Sequence, residues 1–308
     1  MLLRRFTDFV LQSRLRMMGI AFAVSFLPLV GTIGILMAAF VTLCRGMKEG
    51  FLILVAATLP LIIEAISTPA SQASISSIDL TLMMVVCNIV TWLFAGVLRK
   101  YANWSLILQL AAFLSIGFVL TIHLVYPDVR SWWQTNLTEY MLTTMQAVSE
   151  LTPAELIGQK ASINRLVETL SPFATGLLAI SVVFYALLQT LLARWWQAYM
   201  YNPSGLRKEL YAIRLSYIAG IVFLVSVGLS ITGNEAVVDM MSIVYLTFAL
   251  AGLSIVHTLI ARSKSSWFWI GLIYVAAVLM PLTLALVALM AVLDTFFNIR
   301  NQLKKRQV

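Results

Sequence analysis

Charged side chains are scarce in this chain. They make up 11% of its 308 residues, against about 25% in an ordinary soluble domain. So few cannot cover a water-facing surface, which excludes a soluble globular fold. Histidine occurs only twice, as His123 and His257, and that leaves no paired-His zinc motif. A phosphate-cradling glycine loop and a nucleophile elbow are also missing. We therefore expect no enzyme, no cofactor and no metal site. Cysteine is equally sparse: Cys44 falls near a helix end and Cys87 inside an apolar run. Two such thiols make neither a disulfide framework nor a metal-ligand set. The connections between apolar segments are too short to fold as a separate soluble domain.

What is abundant is apolar sequence, 61% of the chain. It falls into eight runs, at about 17–43, 51–66, 79–98, 103–125, 172–192, 213–231, 239–260 and 267–293. Runs of this length read as membrane helices. The expected fold is all-α: a polytopic transmembrane helical bundle, with residues 1–308 as a single membrane domain. The basic start (Arg4, Arg5, Arg14, Arg16) before an apolar run has the look of a signal peptide. Seven further runs follow it, so it reads as an uncleaved first helix.

The cations supply an orientation. Arg45 and Lys48, Arg99 and Lys100, Arg194 to Arg214, and Arg262 and Lys264 follow alternate runs. Of 21 Lys and Arg residues, only Arg130, Lys160 and Arg165 fall in the opposite connections. Short positive loops stay in the cytoplasm, and both basic termini belong with them. The net charge of +8 is then matched by anionic lipid, and nucleic acid is not an expected partner. If the first and last runs were single spans, both basic termini would lie on the side opposite the basic loops, against the charge rule. Each end run covers about 27 residues, or ~40 Å of helix, against a hydrocarbon core of ~30 Å. Each also carries breakers near its middle: Pro28, Gly31 and Gly34 in the first, Pro281 in the last. The expectation is that both end runs fold back as short helical hairpins, shielded by neighbouring helices. The alternative is one long, kinked, tilted helix at each end.

Segment 126–171 reads as an outer amphipathic helical segment lying on the membrane surface. Asn136 with Glu139, and Thr152 with Pro153 and Glu155, have the pattern of helix starts. Leu137, Tyr140, Met141, Met145 and Val148 mark one apolar face, and Leu156, Ile163, Val167 and Leu170 another. Trp132 and Trp133 suit the headgroup level.

Ionisable and amide residues inside spans are costly, and each is a candidate site. Glu64, at the outer end of its run, is either a ligand contact in an outward cavity or a carboxylate reaching headgroup water. His123 lies at similar depth, and Asn88 is an interior amide. These three are the candidate ligand-binding residues. A structural role is the competing reading for His123, and interhelical hydrogen bonding for Asn88, Gln109 and Gln189. His257 reads as interfacial. Gly19 with Ala23 and Gly34 with Ala38 form pairs that permit close helix contact.

The most distinctive stretch lies in a basic, aromatic cytoplasmic loop at 193–214. It holds Arg194, Trp195, Trp196 and Gln197, then Tyr201, Asn202, Pro203, Ser204 and Gly205, then Leu206, Arg207, Lys208, Glu209 and Leu210. Asn202 can cap, and Pro203 suits a first helical turn. The segment reads either as an interfacial anchor or as a docking surface for a membrane or cytoplasmic protein partner.

This motif resembles the YybS-like family of bacterial membrane proteins. So do Leu43-Cys44-Arg45-Gly46 with Lys48-Glu49-Gly50, and Leu293-Asp294-Thr295-Phe296-Phe297 before Arg300. Ser204 stands where that pattern has glycine. The resemblance marks Asp294 as a further motif residue and implies a bacterial inner-membrane location. It also implies a fold similar to the substrate-binding subunits of energy-coupling-factor transporters, with a small solute held in an outward-opening pocket and a membrane partner. The expected function is that of a small-solute-binding transporter subunit. The alternative is a non-transporting membrane scaffold or assembly factor.

Overall fold

The computed structural model describes residues 2–27, 31–67, 77–148, 153–262, 268–300 and 302. It is all-helical, with no strand among these residues. Pro28, the connection 68–76, Thr152, Lys264, Lys304, Lys305 and Arg306 lie outside them. The helices are α1 (Leu2–Leu11), α2 (Arg14–Ser25), α3 (Thr32–Arg45), α4 (Met47–Ser67), α5 (Ser77–Tyr101), α6 (Trp104–Val125) and α7 (Val129–Val148). They continue as α8 (Pro153–Leu170), α9 (Ala174–Tyr201), α10 (Gly205–Tyr211), α11 (Tyr217–Ser230), α12 (Glu235–Arg262), α13 (Phe268–Leu279) and α14 (Pro281–Phe297).

Five stretches are long and apolar enough to cross a membrane: Met47–Ser67, Thr81–Tyr101, Trp104–Val125, Gln159–Tyr201 and Glu235–Ala261. Counting the bent pair α13–α14 as one span makes six. The eight apolar runs therefore do not become eight such helices. The first run is divided between α2 and α3, and the 213–231 run forms only the 14-residue α11. At 1.5 Å per residue, α11 reaches ~21 Å, short of a hydrocarbon core.

The chain separates into two compact units. The first holds Met1–Ile107 and Ser181–Ile213. Its centre is α3, packed against α2, α4 and α5. The first apolar run is folded rather than straight. A Cβ added at Gly34 would stand 3.0 Å from the Ala21 carbonyl oxygen and 3.1 Å from Ala57 Cβ. A straight helix would separate residues 21 and 34 by ~20 Å, so α2 and α3 lie side by side. Gly34 is the small residue that permits this approach, whereas Gly19, the other candidate, has no neighbour within 4 Å of its Cβ position. At the far end of α3, Arg99 of α5 donates to the Leu43 carbonyl at 2.7 Å and the Thr42 carbonyl at 3.3 Å. A cation there also offsets the negative end of the helix dipole. The chain then turns at Gly46 (φ +108°) straight into α4.

The second unit holds Leu108–Ile180 and Arg214–Val308. Its centre is α12, packed on α14 and α11. The last apolar run is broken as well: α13 and α14 meet at a bend of 115°. Met280 is extended there (φ −127°, ψ 100°), and Pro281 opens α14, where its missing N–H costs nothing. The end of α14 comes back to the start of α11, where Arg214 donates to the carbonyls of Asp294 (3.2 Å) and Thr295 (3.0 Å).

Three local expectations need correction. Helix α7 starts at Val129, so Asn136 lies inside it and donates to the Trp132 carbonyl (2.7 Å) instead of capping. The apolar run at 172–192 does not open a fresh span, because a 3-10 turn at Ser171–Phe173 joins α8 to α9 within the stretch Gln159–Tyr201. The stretch 193–214 is mostly helix: α9 carries Arg194, Trp195, Trp196 and Tyr201, and α10 follows a short turn. The N-cap of α10 is Ser204, two residues beyond Asn202, and it makes no side-chain capping bond.

Candidate functional site

The sequence candidates Glu64 and Asn88 come together. A cavity of about 300 Å³ in the first unit is lined by Ser25, Thr32, Glu64, Asn88 and Tyr185. Its apolar walls include Phe26, Ile35, Leu61 and Met84. Five elements build it: the end of α2, the start of α3, and faces of α4, α5 and α9. Phe26, Leu27 and Gly31, which flank the division of the first run, all lie on its wall. Asn88 is buried, and its Nδ2 donates to Thr58 Oγ1 at 3.3 Å. The Ser25 hydroxyl is spent on the Ala21 carbonyl at 2.8 Å. The cavity lies toward the α4 end remote from Arg45: along the helix, Glu64 is ~25 Å from Met47. Its volume is at the lower limit of small-molecule sites, about 300–1,000 Å³.

His123 does not line this cavity. It belongs to the second unit, where its Nε2 lies 3.1 Å from Asp239 Oδ2. Asp239 is only 2% exposed, and its other oxygen accepts from the Gly176 backbone N–H at 2.5 Å. One turn earlier on α12, Glu235 pairs with Arg130 at 3.3 Å. Trp133, expected in a headgroup belt, donates its indole N–H to Thr175 Oγ1 at 2.9 Å. Asp239 was not among the sequence candidates. The available signal was an acidic residue placed one turn inside a long apolar helix, which requires a partner. Gln109 does make an interhelical bond, accepting from Ser216 Oγ.

The aromatic, basic motif is largely turned inward. Arg194 Nε donates to Glu209 Oε2 at 3.1 Å, and Arg194 Nη2 donates to Glu209 Oε1. The Trp104 indole N–H donates to the same Oε2 at 3.3 Å. Trp196 is 5% exposed, stacks on Phe40 at 4.4 Å and donates to Thr7 Oγ1 at 2.9 Å. Thr7 lies on α1, a helix that sequence reading did not identify. Gln197 donates to the Leu43 carbonyl at 3.0 Å. By contrast, Trp195 and Tyr201 are 52% and 62% exposed, and Arg207 Nε donates to the hydroxyl of its helical neighbour Tyr211 (2.9 Å). Asn202 and Pro203 form the exposed turn, where the Gly205 N–H donates to the Asn202 carbonyl at 3.0 Å.

Asp294, the remaining motif residue, is buried in the second unit. It accepts from the Arg300 backbone N–H (3.2 Å) and from Arg300 Nε (3.1 Å), while Arg300 Nη1 reaches Ser254 Oγ (3.3 Å). These contacts fix the end of α14. They do not form an open site. No group of three or more His, Cys, Asp or Glu residues that could hold a metal exists among the described residues.

No protein-family model, curated protein or solved structure matches the chain.

Proposed function

We propose that the chain is a multi-pass protein of the bacterial inner membrane, with both termini cytoplasmic, that binds a small solute as a transporter's substrate-binding subunit does. The observation that carries this reading is the convergence of Glu64 and Asn88, on different helices, in one cavity of about 300 Å³. Polar residues of this kind on a cavity wall can orient a ligand. The folded end runs support the orientation. They let the N-terminal helix α1 sit beside Arg45, which donates to the Leu11 carbonyl, and beside Trp196 through Thr7. With the basic ends inside, the cavity opens outward. The YybS-like resemblance fits the same assignment.

The test is recovery of a bound solute. Protein extracted in mild detergent should release a small molecule identifiable by mass spectrometry. Leu61→Trp, which fills the cavity, should abolish its retention, and Glu64→Gln should lower it. Repeated extraction with no solute, together with unchanged behaviour of both variants, would refute binding. The alternative, a non-transporting scaffold or assembly factor, draws on the exposed aromatics Trp195 and Tyr201 and on the exposed Arg207 of α10. That surface suits a membrane or cytoplasmic protein partner in either case.

A further inference from the structure

We infer that α1 is an interfacial helix: the edge formed by Phe6 and Phe9 enters the leaflet beside the basic loops, and Arg5 and Arg16 hold the phosphate of an anionic phospholipid there. This rests on the membrane reading above and not on the solute. Helix α1 is fixed to two other helices of the first unit. Arg45, the last residue of α3, donates to the Leu11 carbonyl. Trp196 of α9 donates to Thr7 Oγ1 at 2.9 Å, stacks on Phe6 with ring centroids 6.3 Å apart, and stacks on Phe40 of α3. Trp196 and Phe40 each lie five residues before the end of their helix, ~7.5 Å inside it. That matches the depth at which interfacial helices bury an apolar face, ~5–10 Å. Only Gln12 and Ser13 separate α1 from α2, so α1 cannot stand far from the surface that α2 enters.

Helical periodicity divides α1 into three sectors. Thr7 and Val10 form the buried one, at 1% and 3% exposed. Arg4, Asp8 and Arg5 form the polar one, and all three are exposed. Phe6 and Phe9 lie between these sectors, 41% and 50% exposed. An apolar strip beside a cationic one is what a helix lying in a headgroup layer presents. Arg5 is the neighbour of Phe9 one turn back. On the α2 side, the Arg16 guanidinium lies 5.0 Å from the Phe9 ring centroid, and Arg16 Nη1 is steadied by Gln12 Oε1 at 2.7 Å. Two guanidiniums therefore flank the apolar strip, a pairing suited to phosphate oxygens. Arg4 lies over the Tyr199 ring instead, at 6.0 Å. Asp8 is the only carboxylate of α1, so the site is net positive. It favours a headgroup of net negative charge, whereas the ammonium of a zwitterionic headgroup would be repelled.

The test uses full-length protein carrying Cys44→Ser and Cys87→Ser, in nanodiscs of equal phosphatidylglycerol and phosphatidylcholine. A nitroxide is attached in turn to Phe9→Cys, Asp8→Cys and Val55→Cys, the last on an exposed face of the span Met47–Ser67. Oxygen, which concentrates in lipid, should relax the labels at 9 and 55. A water-soluble nickel chelate should relax the label at 8. A water-like label at 9 beside a lipid-like one at 55 would overturn the interfacial helix and leave the membrane reading standing. A water-like label at 55 would sink the membrane reading itself. A label at 9 shielded from both reagents would mean that protein covers the strip, and would also overturn the proposal. Native mass spectrometry of the lipids retained on the protein tests the headgroup. Phosphatidylglycerol should be retained over phosphatidylcholine. Each surface arginine contributes about fivefold, so Arg5→Gln with Arg16→Gln should lower that ratio at least fivefold, and Arg5→Lys with Arg16→Lys should keep most of it. A parent ratio near one, or a ratio unmoved by the glutamines, would overturn the anionic-lipid site. Displacement of the lipid by equimolar inorganic phosphate would show that free phosphate, not a headgroup, is the ligand.

Discussion

Glu209→Ala should cost this protein about 2–4 kcal/mol of stability, although Glu209 sits in a segment whose sequence reads as a loop. The carboxylate accepts from Arg194 Nε, Arg194 Nη2 and the Trp104 indole. The Arg194 and Glu209 side chains are only 17% and 15% exposed. Removing one partner of a fully buried pair costs about 3–5 kcal/mol, because the other charge stays buried and unpaired. Here the remaining exposure, and the bond from Arg194 to Gln197, place the expectation somewhat lower. The indole N–H of Trp104 is orphaned as well, at about 1–3 kcal/mol if no water reaches it. Arg194→Met combined with Glu209→Leu should come within about 1 kcal/mol of the parent, since apolar pairs of similar volume often replace buried ion pairs without loss. The cycle of single and double variants then yields a coupling of at least ~2 kcal/mol. Reversible unfolding in mixed micelles measures each corner. A Glu209→Ala loss below about 0.5 kcal/mol would refute the internal lock and return the segment to the status of a solvated docking loop.

Other outcomes follow from the same geometry. Asp239→Leu should destabilise by about 1–3 kcal/mol, because His123 and the Gly176 N–H lose their acceptor, and Asp239→Asn by less. Equal stability of all three proteins in the same unfolding assay would remove the pair from the fold's support. Gly34→Leu should be worse than Gly19→Leu by at least about 2 kcal/mol, since only Gly34 has backbone and side-chain atoms within 3.1 Å of a new Cβ. Comparable effects would mean α2 and α3 are not in contact. For orientation, a cysteine at Lys208 should react with an impermeant thiol reagent only from the cytoplasmic side, and one at Thr138 only from the periplasmic side. The reverse pattern would invert the proposed topology and with it the face on which the cavity opens.

Signals that are local in the chain were legible. Among the described residues the apolar runs lie largely in helices, and the last run divides at Pro281, because proline acts on the backbone whatever surrounds it. Glu64 and Asn88 were legible as anomalies in apolar sequence, although nothing local shows that they share a cavity. What sequence missed depends on partners distant in the chain. Asp239 reads as the edge of an apolar run until His123, 116 positions away, is seen beside it. Helix α1 reads as a basic leader because its short apolar stripe is interrupted by arginines. Only the packing of Thr7 and Val10 against the first unit reveals its buried side. Asn136 with Glu139 has the spacing of a helix start, yet the helix had already begun at Val129. A capping pattern holds no information about whether the preceding turn is itself helical.

The folded first run and the cavity are one feature with two consequences. On the proposed membrane reading, a 12-residue α2 and a 14-residue α3 reach ~18 Å and ~21 Å, each short of a ~30 Å hydrocarbon core, so their facing ends lie at membrane depth. Irregular backbone at that depth is tolerated only where protein buries it or where it lines a wet cavity. Ser25, Phe26, Leu27, Gly31 and Thr32 all lie on the cavity wall, which meets the second condition. A straight first helix would satisfy its own backbone and leave no void beside Glu64. The Gly34 contact with Ala21 and Ala57 therefore bears on more than packing: it holds α2 against α3 beside the proposed binding site. A substitution that straightens the run should lose the solute even with Glu64, Asn88 and Tyr185 intact.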